Sequence, residues 1–152
     1  MKHHGTPHTV IGRIVVVEFL DWPIPPIRAK VDTGARSSAL DVEDIEVIDD
    51  DHVRFRAILN RARTKSVQCE APKSRRSRVR SSTGHRTHRL FVTTRVRIEG
   101  VERRIEVSLA SRPKMIFRML LGRRSLAGDF LVDVTRSAPP KAAKVLKKAI
   151  KP

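Results

Sequence analysis

The chain has 152 residues, with 32 Lys and Arg against 16 Asp and Glu and a formal charge of +16. One domain with a core fits this length, and 39% hydrophobic residues can fill it, which argues against two domains and against wholesale disorder. The single cysteine, Cys69, cannot form an internal disulfide and suits a reducing compartment. No apolar run approaches the ~18 residues that span a bilayer, and the opening MKHHGTPHTVIG lacks a signal-peptide apolar stretch, so the expected location is the cytoplasm.

The charge is uneven along the chain. Residues 1–51 hold five basic and ten acidic residues, net −5, whereas residues 52–152 hold 27 and six, net +21. Such local basicity suits phosphate, nucleic-acid, ribosomal or acidic-peptide partners, or a solubilising surface. Aromatic residues make up only 4%, with no Tyr, which argues against stacking platforms for single-stranded nucleic acid.

Val10 to Leu20 is rich in β-branched residues and reads as a strand with a natural break at Gly12. Pro23, Pro25 and Pro26 make the following segment an irregular connection or an edge. Ile27 to Val31 alternates apolar and basic residues as a short strand and delivers Asp32-Thr33-Gly34-Ala35 at its end. Val42, Ile45 and Val47 continue an alternating pattern that closes in the acidic turn Asp49-Asp50-Asp51, and residues 53–59 alternate again. From Asn60 to Arg80 the composition is basic and irregular, and we read an exposed loop or a loosely held hairpin. Residues 87–98 and 101–109, joined by Glu99-Gly100, form a hairpin. Met115 to Leu121 reads as a buried strand ending at Gly122, Arg123 to Ala127 as a short helix stopped by Gly128, and residues 130–134 as a last short strand. The expected organisation is a flexible segment 1–9, a folded domain 10–137 and a basic tail 138–152, with the tail solvated or forming an amphipathic helix on a partner.

The segment that carries chemistry is Asp32-Thr33-Gly34. In a chain of this length a D-[ST]-G triplet arises by chance roughly one time in twenty, so the triplet alone is weak and its surroundings decide. A strand runs directly into the Asp, Ala39-Leu40 follows, and Leu120-Leu121-Gly122-Arg123 comes 86 residues after the Gly. This combination resembles the retropepsin-like aspartic peptidases. In them a strand ends in D-[ST]-G-A, a flap hairpin and paired strands follow, and an apolar-apolar-Gly-Arg turn leads to a short helix behind the active site.

Residues 27–40, 44–47, 79–92 and 115–137 resemble more closely a bacterial group that carries the label ATP-dependent zinc protease and is often associated with ATP-grasp ligases that add glutamate to ribosomal protein. The resemblance implies a mostly β, single-lobe acid-protease barrel with a short helix near its C-terminal side. It implies a catalytic Asp32 with Thr33 and Gly34, and support from Leu120, Leu121, Gly122 and Arg123. Substrate or flap contacts would come from Ala35, Ser81, Ser82, Thr83 and Gly84.

The chemistry of Asp32 follows from charge. Two carboxylates about 3 Å apart share one proton, so one can act as base toward water while the other acts as acid toward the carbonyl. The chain has one such triplet, so a homodimer that places two Asp32 carboxylates across a two-fold axis is the economical arrangement. Thr33 would brace the loop, and Gly34 would let backbone amides approach the carboxylate. The arginines around the flap would favour an acidic peptide, such as a glutamate-rich tail.

Two other readings use the same residues. One is a non-catalytic, peptidase-like regulator that binds an ATP-grasp ligase or a ribosomal protein through the basic half. The other is a nucleic-acid module in which Asp-Thr-Gly is an ordinary strand-ending turn, which the aromatic-poor composition disfavours. The sequence has no H-E-x-x-H, and His85, His88 and Cys69 are too few for a three-ligand zinc site. With no G-x-x-x-x-G-K-[ST] either, the expectation is no metal and no cofactor.

Overall fold

The computed structural model describes residues 7–74, 77–82 and 85–137, and every structural statement below concerns these. Thr83 and Gly84, the segment 1–6 and the tail 138–152 lie outside them.

β1 (Thr9–Ile11) and β2 (Ile14–Phe19) are two strands separated at Gly12. A Cβ at residue 12 would sit 2.5 Å from the Arg136 carbonyl oxygen, so close packing of the chain against residue 136 fixes the break. β2 pairs antiparallel with β3 (Ile27–Val31). Between them Trp22 is buried, stacks on Phe19 at 5.5 Å, meets Phe55 edge-on at 5.2 Å and donates from Nε1 to the Glu70 carbonyl. The proline-rich link is thus a packed corner.

β4 (Ser38–Val47) changes partners along its length. Its first residues run parallel to β9 (Val101–Ala110), and its second half is antiparallel to β5 (His52–Ile58), with an irregular step between Glu43 and Glu46 where Asp44 adopts a φ of 54°. That bulge bends the strand out of one sheet and into another. β6 (Ser66–Pro72) pairs with β5 over seven residues. The expected loop or loose hairpin over 60–80 is therefore corrected here: Cys69 and Ala71 are buried, and their alternation with polar neighbours makes an edge strand out of a basic-looking segment.

β7 (Arg78–Ser82) and β8 (His85–Ile98) form one antiparallel hairpin, and β8 continues into β9 through Glu99 and Gly100, both at positive φ, the conformation of a tight two-residue turn. β10 is shorter than the expected 115–121: only Met119–Leu121 is strand, inserted parallel to β3 and antiparallel to β4. Its two partners close the order β10-β3-β2-β8-β9-β4 into a six-stranded barrel. Val15, Val17, Leu40, Val96, Val107 and Leu121 are among the side chains that fill the core. Helix α1 (Arg123–Leu126) follows β10, and β11 (Phe130–Val132) pairs parallel with β1. The fold is mostly β, a closed barrel with one short helix, as the sequence led us to expect.

Asp21 pins the corner after β2 to β8. It accepts the Arg95 amide at 2.8 Å and two guanidinium bonds at 3.0 and 2.7 Å. The Arg95 hydrogen bonds hold its carboxyl below the ordinary value of 3.8. A lowered folded-state pKa contributes stability above the unfolded value and loses it as the pH falls. Asp21→Asn should therefore unfold at a lower temperature than the parent at pH 7, with the gap closing below about pH 3.8 in thermal melts across pH.

Candidate active site

The carboxylate at the end of β3 is held by main chain on both sides. The Val31 amide donates to the Arg13 carbonyl at 2.8 Å, and the Asp32 amide donates to the Leu121 carbonyl at 2.9 Å. The chain then turns, with the Ala35 amide on the Asp32 carbonyl at 3.2 Å and the Gly34 amide on Asp32 Oδ1 at 3.0 Å. Asp32 is half-buried, Thr33 and Gly34 are exposed and Ala35 is half-buried, so the loop presents the acid toward solvent. Among the described residues no cation pairs with Asp32.

Beneath the loop lies the second predicted segment. Leu120 pairs with Lys30 on one side and Ala39 on the other, and Leu121 is buried. Gly122 lies against the backbone of Ser37: a Cβ there would be 2.5 Å from the Ser37 carbonyl carbon and oxygen. Its amide donates to Ser38 Oγ at 3.1 Å, and Ser38 Oγ is 2.6 Å from Ser125 Oγ. The amides of Arg123 and Arg124 donate to the carbonyls of Ala35 and Arg36, and Arg123 Nη1 donates to the Thr33 carbonyl at 3.0 Å. The two motifs, far apart in sequence, are thus one hydrogen-bonded unit. Thr33 enters it through its carbonyl.

Ser81 and Ser82 sit in β7, paired with Arg86 and His85 of β8. This is the hairpin that the flap expectation concerned, and its Thr83 and Gly84 lie outside the described residues. Burial pushes the Cys69 thiol up to about 12, which leaves it without nucleophilic character near neutral pH.

Sequence reasoning missed four residues. Ser38 and Ser125 left no local signal, since their bond spans 87 positions. Asp41 and Arg118 did leave one. Each is a charge inside an apolar run, Leu40-Asp41-Val42 and Phe117-Arg118-Met119, and a charge at a core position calls for an opposite partner. They meet, both fully buried.

Residues 12–140 match the family model described as RimB-like, retropepsin-like aspartic endopeptidase RimB. The chain belongs to the RimB-like family. Relatives of this RimB-like chain include proteins named probable alpha-L-glutamate ligase. The one from Desulfotalea psychrophila is 28% identical over 128 residues, covering 82% of this chain and 28% of the ligase. The one from Shewanella pealeana is 30% identical over 132 residues, covering 84% and 29%. The chain thus spans less than a third of the length of these curated relatives. Among solved structures, protein Lpg0085 of Legionella pneumophila, described as of unknown function (DUF785), superposes with a TM-score of 0.71 at 21% identity, over 87% of this chain and 98% of that one. It shares the fold.

Gly122→Ala should place a methyl group against backbone that cannot move aside as a side chain would. We expect a loss of about 2 kcal/mol, or roughly 5 °C in the melting temperature, measured by thermal and urea denaturation.

Proposed function

We propose that this chain is an aspartic-type endopeptidase that works as a homodimer, with Asp32 of each subunit forming the catalytic pair. The observation that carries this reading is the Asp32 loop: a carboxylate on the end of a barrel strand, open to solvent, free of any cation among the described residues and fixed by the Leu121 carbonyl. RimB-like family membership supports it independently.

In the dimer two adjacent carboxylates hold one proton between them. The ionised one takes a proton from water as the water oxygen attacks the scissile carbonyl, and the protonated one gives its proton to the carbonyl oxygen, forming a tetrahedral diol. Collapse of the diol breaks the C–N bond. The carboxyl that gained the water's proton protonates the amine nitrogen, and the other, now ionised, takes back a diol hydroxyl proton as the C=O forms, which restores the single shared proton. Gly34 donates to Asp32 Oδ1 and fixes the direction of the acid, while Arg123 and Leu121 hold the loop from below. No metal or cofactor is needed for these steps.

The β1–β11 pair offers a surface suited to the second copy. Val10 and Leu131 face outward across the β1–β11 pair, 40% and 55% exposed, with Val134 at 69% nearby. The chain leaving β1 reaches Arg13, whose carbonyl binds Val31. Exposed Arg36, Arg123 and Arg124 flank the Asp32 loop and favour an acidic peptide, such as a glutamate-rich tail, in a reducing, cytoplasmic setting.

A second reading has its own support. The matched stretch is 28–29% of proteins named for glutamate ligation, which supports the alternative of a non-catalytic, peptidase-like regulator or binding partner of an ATP-grasp ligase or a ribosomal protein. Binding to nucleic acid ranks below both.

Asp32→Asn should lower cleavage by at least about 10³-fold while leaving the fold and the dimer intact. Undiminished cleavage would remove the peptidase reading, whereas equal modulation of a ligase by parent and variant would favour the regulator. Polyglutamate-tailed peptides should be cut faster than neutral ones, and equal rates would remove the acidic preference. Leu131→Glu should weaken self-association at least about tenfold by analytical ultracentrifugation and lower cleavage in parallel.

A further inference from the structure

Asp41 is a fully buried carboxylate that the proposed chemistry does not use. Its Oδ2 accepts from Nη1 of both Arg118 and Arg63, and its Oδ1 accepts the Arg112 amide at 2.8 Å. Its own amide donates to the Arg118 carbonyl at 2.9 Å. Arg118 also donates from Nη2 to the Met115 carbonyl, and Arg63 reaches Glu43 at 3.0 Å and Ser111 Oγ at 3.3 Å. One carboxylate therefore ties three segments: β4, the loop between β5 and β6, and the link of residues 111–118 that feeds β10.

This arrangement is costly. Burial pushes the Arg118 guanidinium below its ordinary value despite the opposing pull of Asp41, and Arg118 Nε has no partner. A well-packed apolar pair could fill the same space at equal or better stability. Stability alone therefore does not account for the charges.

What they fix is position. Met119 follows Arg118 directly, and the three residues of β10 carry few ladder bonds of their own, so their register depends on what holds the ends. The far end is held by Ser38 through the Gly122 amide, and the near end by Asp41 through Arg118. Between these anchors lies Leu121, whose carbonyl binds the Asp32 amide. A slip of one residue would turn Met119 and Leu121 out of the core and remove that carbonyl from Asp32.

We propose that Asp41 is a positioning residue for the Asp32 loop, acting through Arg118 to set the register of β10. The proposal concerns the loop's geometry and stands whether or not the loop is catalytic, so failure of the Asp32→Asn cleavage test leaves it intact.

The test is amide hydrogen exchange, resolved by residue, on the full chain. The double variant Asp41→Leu, Arg118→Leu removes both charges together and leaves Arg63 its contacts with Glu43 and Ser111. Expected is an Asp32 amide that exchanges at least about tenfold faster than in the parent, with Val96, Ile98 and Val107 amides unchanged. Parental exchange at Asp32 in the folded double variant overturns the proposal, as does uniform acceleration that includes β8 and β9. If the double variant does not fold, Arg118→Lys takes its place. It keeps the positive charge but cannot span Asp41 and the Met115 carbonyl in the same fork, and it should speed Asp32 exchange several-fold with β8 and β9 unchanged. An unchanged Asp32 amide in that variant overturns the proposal equally.

Discussion

Three residues hold this barrel shut. Met119, Leu120 and Leu121 use one edge to bind β3 and the other to bind β4, so the segment that closes the sheet also supplies the carbonyl that anchors the Asp32 amide. A strand this short cannot fix its own register by ladder bonds. Its ends are instead pinned from outside, by the Ser38 and Ser125 hydroxyls at Gly122 and by buried charge at Arg118. Barrel closure and presentation of the carboxylate are therefore one mechanical problem.

Two aspartates nine positions apart show how environment divides one residue type into two uses. Asp41 is enclosed and accepts from two guanidinium groups and an amide. Asp32 receives one amide and faces solvent. The same logic sorts the arginines. Arg54, Arg56, Arg63, Arg95, Arg103 and Arg118 are paired with acids, so the +16 excess is carried by other basic residues. Arg36 and Arg124, beside the Asp32 loop, have no acidic side chain opposite them among the described residues.

Local rules made several elements legible. β3 runs over the residues its alternation marks, the Glu99-Gly100 turn closes the expected hairpin, and Gly12 separates two strands. β6 was hidden because Val67, Cys69 and Ala71 are small or modest apolar residues set among charges, and only pairing with β5 reveals their common face. β10 was overestimated because Met115 to Phe117, although apolar, lie outside the strand in a link whose Met115 carbonyl receives Arg118 and whose Ile116 is exposed. The D-T-G triplet and the Leu-Leu-Gly-Arg segment were both legible, but the serine pair that joins them was not, since nothing local marks two hydroxyls 87 residues apart as neighbours.

The single D-T-G sets the remaining constraint. A single barrel with one D-T-G presents one carboxylate, and hydrolysis by a shared-proton pair needs a second within about 3 Å. In the proposed homodimer that second acid comes from the other subunit, so the surface that pairs the subunits matters as much as the loop. There β1 and β11 expose Val10 and Leu131 on the face opposite buried Ile11 and Phe130, an apolar pair that water does not reward and that a second copy would cover. The chain leaving β1 reaches Arg13, whose carbonyl accepts the Val31 amide next to Asp32, so association through this face in the proposed dimer would act on the site's geometry. In the proposed dimer, assembly and positioning of the acid then become the same event.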